Sequence, residues 1–190
     1  MRRVFCLVIA IHFLLFSLPG VSACQGNGSA VELNWDYQSS YTKDRDLDTV
    51  SLHILKKSSE SKSETKNRSV YRGITITRPT GSITFEQQTG DSAAVGVGPI
   101  YLIRNEKYLS DKLSAAVDMS GGFIVYDRSF PAGGRWYNFM WRIGPQFIYR
   151  FGEDSSVHVG YMLTHVSNGL RSRNPGDDAR GVSFGFVTKF

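Results

Sequence analysis

Tyr137-Asn138-Phe139-Met140-Trp141-Arg142-Ile143-Gly144-Pro145-Gln146-Phe147-Ile148-Tyr149-Arg150-Phe151 is the stretch on which the fold turns. Tyr137, Phe139, Trp141, Ile143, Pro145, Phe147, Tyr149 and Phe151 fall on one face at period two. Asn138, Met140, Arg142, Gly144, Gln146, Ile148 and Arg150 fall on the other. Period two is the repeat of an extended strand, whose successive side chains point to opposite faces. Strands of soluble sandwiches usually run about 5–6 residues, far shorter than this one. Arginines and a glutamine on the second face do not suit a dry core. They suit a strand whose apolar face meets lipid and whose polar face turns inward.

The same pattern extends in both directions along the chain. Val31, Leu33, Trp35 and Tyr37 alternate with Glu32, Asn34, Asp36 and Gln38, and Val182, Phe184 and Phe186 with Gly181, Ser183 and Gly185. Further strands are expected near 49–55, 69–78, 93–104, 112–126 and 156–167. The expected fold is all-β: an eight-stranded antiparallel transmembrane β-barrel of the outer membrane, occupying 24–190. Lipid offers no partner to a free backbone amide, so such a sheet must close on itself. Eight strands leave a narrow interior that side chains fill. Phe190 is an aromatic terminus of the kind outer-membrane barrels use in assembly. A secreted soluble sandwich also alternates, but the long continuous apolar faces argue against it. With both termini periplasmic, outward loops are expected near 39–48, 79–92, 127–135 and 168–180. Inner turns are expected near 56–68, 105–111 and 151–155. The polar run Lys56–Arg68 reads as a long periplasmic turn, and Ile83–Gln88 as a β-extension beyond the membrane.

Residues 1–23 read as an export signal: Arg2 and Arg3, then the apolar run Cys6–Leu18, then the small-residue site Val21-Ser22-Ala23. The apolar run is too short for a good spanning helix. Val21-Ser22-Ala23-Cys24 also fits a lipobox, which makes lipidation at Cys24 the alternative to plain cleavage after Ala23. With 2 cysteines in the chain, no disulfide framework or cysteine-based zinc cluster can be built. Glycine is plentiful at 19 and proline scarce at 6, in keeping with β-structure. The formal charge of +5 includes Arg2 and Arg3, so +3 remains after the leader. That is too mild to argue for nucleic acid.

Chemistry gathers in one segment. Val157, Val159, Tyr161, Leu163, His165 and Ser167 share a strand face, so a histidine and a serine follow a run of lipid-compatible residues. Same-face neighbours are about 6.5–7 Å apart at Cα, a gap that the two side chains can close. Imidazole beside a hydroxyl is the minimum for activating a serine nucleophile. A third group must hold the other ring nitrogen, and the following loop offers Asp177 and Asp178. Standing alone, an H-x-S pair is more often part of a polar interfacial rim.

His165-Val166-Ser167-Asn168-Gly169-Leu170, followed by Asn174-Pro175-Gly176-Asp177-Asp178, resembles the lipid A 3-O-deacylase (PagL) family. Family members carry H-x-S-N on the penultimate strand of an eight-stranded outer-membrane barrel, then an N-x-G-x-acid loop. The resemblance is clearest over 95–190, including Tyr126-Asp127-Arg128-Ser129-Phe130-Pro131 and Arg135-Trp136-Tyr137-Asn138-Phe139. By that resemblance Ser167 is the nucleophile, His165 the general base and then acid, and Asp178 the orienting carboxylate. Asn168 and the Gly169 amide are the oxyanion-hole candidates, Asn174 shapes the loop and is a further candidate donor, and Phe139 lines an acyl groove. The chain departs from the family in reading Asn168-Gly169 where N-A-G is usual, and in having aspartate where the best-known members have glutamate.

The implied activity is removal of an ester-linked acyl chain, at the 3-O position, from lipid A of lipopolysaccharide. No cofactor or metal is expected. The implied partners are lipopolysaccharide and outer-membrane lipids, and a homodimer is compatible with the sequence. The competing reading is a non-catalytic small outer-membrane barrel with a structural or adhesion role.

Overall fold

The computed structural model describes residues 30–152, 155–169 and 173–189. Residues 1–23, read above as an export signal, Cys24 and Phe190 lie outside the described residues. The strands are β1 (Ala30–Ser40), β2 (Arg45–Lys62), β3 (Lys66–Phe85), β4 (Gln88–Asp91), β5 (Gly96–Tyr108), β6 (Leu113–Phe130), β7 (Arg135–Arg150), β8 (Ser156–Ser167) and β9 (Asp177–Lys189). All neighbours pair antiparallel, and β1 pairs with both β2 and β9, which closes the ring. The short β4 stands outside that ring and pairs only with the end of β3, from Ser82↔Asp91 to Phe85↔Gln88. The ring itself therefore has the expected eight strands. The expected extension at 83–88 is the tip of the β3–β4 hairpin. Glu86 and Gln87 turn it with φ of 51° and 64°, the left-handed pair that matches the twist of a two-residue hairpin.

The reading of Lys56–Arg68 as a long turn is corrected. Strands β2 and β3 stay paired down to Lys62↔Asn67, with a bulge between Lys57 and Ser59. Only Ser63–Thr65 turn, closed by Ser63 N–H to the Lys66 carbonyl at 2.8 Å. Hydropathy could not reveal this extension because the segment has no apolar face. Polar pairing sustains it instead: Lys57 meets Glu60 at 3.0 Å, and Asn67 Nδ2 donates to Glu60 Oε1 at 2.7 Å. The outward loops are likewise shorter than expected, because β6 runs to Phe130 and β9 starts at Asp177.

Alternation assigns the two surfaces. Along β1, Glu32 is 0% exposed while Trp35 is 58% exposed. Leu33, Tyr37, Leu52, Ile54, Val117, Met119, Trp141, Phe147, Val159, Phe184 and others form an outward apolar belt. Inside, Arg104 is buried between two carboxylates. It donates to both Glu32 oxygens at 2.8 and 2.9 Å, and to both Asp118 oxygens at 2.7 and 2.8 Å. Arg142 pairs with Asp36, and His53 Nε2 lies 3.3 Å from the same carboxylate. His158 packs over Gly185, where an added Cβ would fall 1.9 Å from its Nε2. Nearer the loop end the interior turns apolar, with Ile124, Tyr126, Phe130, Met140 and Val166 in one cluster. No helix among the described residues is long and apolar enough to cross a membrane. The crossing is made by strands.

The buried triad generates a stability prediction. Arg104→Leu leaves two carboxylates facing each other without a cation and should cost about 3–5 kcal/mol. Replacing Glu32, Arg104 and Asp118 together by Gln, Met and Asn should cost less than Arg104→Leu alone. Urea titration in detergent micelles, read by the heat-dependent gel shift of a folded barrel, checks both. Equal losses would mean that ionic pairing is not what the interior depends on.

Candidate active site

The outward face of β8 carries His165 and Ser167 at its loop end, as period two requires. Its two neighbours complete the surroundings through register. On β7, Phe139 stands opposite Ser167 and Trp141 opposite His165. On β9, Asp178 stands opposite His165. Val166, between the two polar residues, points inward and is buried opposite Met140.

His165 Nδ1 lies 2.7 Å from Asp178 Oδ1. A carboxylate only accepts, so Nδ1 donates, and Nε2 of the neutral ring is left as the basic nitrogen. Trp141 stacks on the imidazole with ring centroids 5.8 Å apart and planes 27° from parallel. The ring is thus fixed by a hydrogen bond from one neighbouring strand and an indole from the other. Among the described residues, the Ser167 hydroxyl makes no hydrogen bond. It shares the outward face with His165 two positions away, at the usual same-face spacing of about 6.5–7 Å.

Asp177 and Asp178 are separated by strand alternation. Asp177 is buried inside and accepts from Ser40 Oγ at 2.7 Å, while Asp178 faces out. The sequence placed both acids in a loop. They are in fact the first two residues of β9, and the ladder fixes their opposite directions.

The segment after Ser167 is held from within. Asn168 is buried, its N–H donating to Asn174 Oδ1 at 3.1 Å and its Nδ2 to the Arg173 carbonyl at 2.9 Å. Asn174 Nδ2 returns to the Gly169 carbonyl at 2.8 Å. Asn168 therefore shapes the turn together with Asn174. Gly169, with φ of 81°, keeps a backbone N–H that has no partner among the described residues. Two hairpins brace this loop. Arg45 donates to the Pro175 carbonyl at 2.5 Å, and Arg173 pairs with Glu86 at 2.8 Å while lying over the Phe85 ring.

Phe139 is exposed beside Ser167 and meets Phe123 edge-on at 5.4 Å, and Phe123 stacks with Tyr137 at 5.8 Å. An aromatic strip thus runs sideways from the serine across β7 and β6. The parts that Trp141 and Arg45 play at this site were missed at the level of sequence, as was the contact made by the tip of the expected extension at 83–88. Trp141 had a signal, since Phe139 and Trp141 share the spacing of Ser167 and His165 on the adjacent strand. Among the described residues, no group of three His, Cys, Asp or Glu side chains converges as metal ligands would.

Asn174→Ala removes both bonds that tie the turn to Asn168 and Gly169. At roughly 0.5–1.5 kcal/mol per bond, amide exchange at Asn168 should quicken by about tenfold, with the barrel intact. Unchanged exchange at Asn168 would show that Asn174 does not organise the turn.

The lipid A 3-O-deacylase (PagL) family model matches residues 29–187. Among solved structures, the chain is similar to the crystal structure of the outer membrane enzyme PagL. The TM-score is 0.64 and the identity 15%, over 84% of this chain and 99% of that one. It is also matched to the solid-state NMR structure of the outer membrane protein AlkL in DMPC bilayers. There the TM-score is 0.36 and the identity 13%, over 92% of this chain and 95% of that one. No curated protein sequence matches. With the family model covering both the ring of strands and the His165–Asp178 pair, the chain belongs to the lipid A 3-O-deacylase (PagL) family of outer-membrane β-barrels.

Proposed function

We propose that this protein hydrolyses the ester-linked acyl chain at the 3-O position of lipid A, with Ser167, His165 and Asp178 as its catalytic residues. One observation carries the reading: the 2.7 Å bond between His165 and Asp178 on the outward surface of the barrel, with Ser167 on the same strand face. A pair facing outward serves a substrate embedded in the outer leaflet, whose ester carbonyls lie just below the headgroups.

In this mechanism Ser167 Oγ attacks the acyl carbonyl while His165 Nε2 takes the hydroxyl proton. Asp178 holds Nδ1–H and stabilises the imidazolium that forms. The tetrahedral oxyanion is met by the Gly169 N–H, since Asn168 is occupied in the turn. Collapse expels the sugar hydroxyl, which leaves with the proton from Nε2. Water then attacks the acyl-enzyme, giving up a proton to His165 Nε2, which passes it to Ser167 Oγ as the ester bond breaks. This releases the fatty acid and regenerates the serine hydroxyl and neutral imidazole. The strip of Phe139, Phe123 and Tyr137 offers the acyl chain an apolar bed. All of these groups come from one chain, so the proposal requires no second copy, and it places no demand on lipidation at Cys24.

Mass spectrometry of lipid A from cells with and without the protein tests the reading, with loss of one hydroxyacyl chain as the expected result. Unchanged lipid A would favour a non-catalytic barrel. Ser167→Ala and His165→Ala should each abolish nearly all deacylation while keeping the heat-modifiable fold, because both side chains face outward and fill no core. Asp178→Asn should cost less than either, since that residue orients and stabilises rather than transfers. Asp177→Asn should stay near wild type, because an amide oxygen still accepts from Ser40. Full activity in Ser167→Ala would refute the serine mechanism.

A further inference from the structure

The outward face of β9 reads Asp178, Arg180, Val182, Phe184 and Phe186. The last three are exposed and belong to the apolar belt. Arg180 is thus a cation one step above lipid-facing side chains and one step below the carboxylate that holds His165. Among the described residues no carboxylate forms an ion pair with it. Its contact is the Tyr41 ring, 5.3 Å from the guanidinium carbon. Tyr41 is fixed at this level, because its backbone N–H donates to the Asp178 carbonyl at 3.0 Å. The flanking register partners of Arg180 are Leu163 on β8 and Ser39 on β1; the nearby acids are Asp178 on its own strand and Asp48 on β2, whose Oδ1 accepts from Ser39 Oγ at 2.5 Å.

The surroundings of the His165–Asp178 pair are therefore lopsided. On the β7 side stand Trp141, Phe139 and Phe123, and on the β1 side a guanidinium over a phenol ring. A substrate whose ester joins an acyl chain to a phosphorylated sugar has the same two-sided chemistry. We propose that Arg180, seated on Tyr41, is a binding subsite for the sugar phosphate of lipid A, and that it sets which way the substrate lies across Ser167. The proposal rests on the deacylase reading for the identity of its ligand. A guanidinium stays charged and presents paired donors that match phosphate oxygens, and its long stem lets the head rise to the headgroup layer. Arg180 is level with Leu163, four residues below Ser167 on the neighbouring strand and so about 13 Å from its level. The upward reach of the Arg180 stem and the width of one sugar together span that gap. The acyl chain then runs over the aromatic strip and the phosphate over β9 and β1. This orientation presents the ester nearest that phosphate to Ser167.

Native mass spectrometry of the purified full-length chain in detergent tests this, using lipid A with both phosphates and lipid A lacking the reducing-end phosphate. Wild type should bind the bisphosphorylated form about tenfold more tightly, a difference of about 1.4 kcal/mol. Arg180→Gln should erase that preference by weakening only the bisphosphorylated form, and Arg180→Lys should keep part of it. Preference should also survive an excess of phosphatidylglycerol, which separates a substrate phosphate from a neighbouring lipid headgroup. Equal binding of both forms by wild type, an unchanged preference in Arg180→Gln, or its loss to phosphatidylglycerol would each overturn the subsite. Turnover followed in the same samples tests the deacylase reading separately. Preferential binding without hydrolysis would remove that reading and leave the subsite standing.

Discussion

Hydrocarbon offers no hydrogen bond to a peptide group, and the rest of this molecule follows from that constraint. It requires a ring, and the ring closes where β1 meets β9, from Ala30↔Lys189 to Ser40↔Ala179. Closure then divides the side chains by parity, one set to lipid and one to the interior. The interior set must satisfy itself. Arg104 between Glu32 and Asp118 and Arg142 on Asp36 do so, and these charges fill the narrow barrel. The seam also matters for chemistry. Asp178 lies at its outer end, and Tyr41 at the end of β1 is bound to the Asp178 carbonyl. The residues proposed as acid partner and phosphate subsite therefore share the joint that closes the barrel.

Mounting the proposed hydrolytic site on the outside of such a ring is mechanically sound because the inside is packed. Behind His165 and Ser167, Val166 meets Met140 within the apolar cluster, and Asp177 is tied to Ser40. The outward residues alternate with these anchors, so no long side chain is needed to hold them. The His165 ring is located by two strands at once, Trp141 on one edge and Asp178 on the other. Such positioning is what lowers the entropic cost of assembling a nucleophile, a base and an orienting carboxylate.

Much of this was legible in the chain itself. The alternation of Tyr137–Phe151 is so long that only a lipid-facing strand accommodates it, and the shared face of His165 and Ser167 follows from their spacing alone. Other features depend on pairing, which periodicity cannot report. Trp141 reads as one more lipid contact until register puts it on His165. Lys57–Lys62 has no apolar face, so its strand is visible only through its bonds to β3. Asn168 is a natural oxyanion donor by position, yet its side chain is spent on the Arg173 carbonyl and its backbone N–H on Asn174. Each of these is a specific pairing between two residues, and a hydropathy pattern records the preference of each residue alone.

The choice between two adjacent aspartates shows how far apart cause and effect can lie. Neither residue differs in chemistry, so the partner of His165 is decided solely by the parity of β9. That parity is enforced well below the site. Gly185 faces inward beneath His158, where even a Cβ would fall 1.9 Å from the ring nitrogen. Sliding β9 by one residue would bring Phe184 or Phe186 into that space and send Ser183 out to lipid. The same slip would bury Arg180 and turn Asp177 toward His165. A small residue opposite a buried histidine, about seven positions down the strand, is thus what selects Asp178 as the carboxylate at the surface.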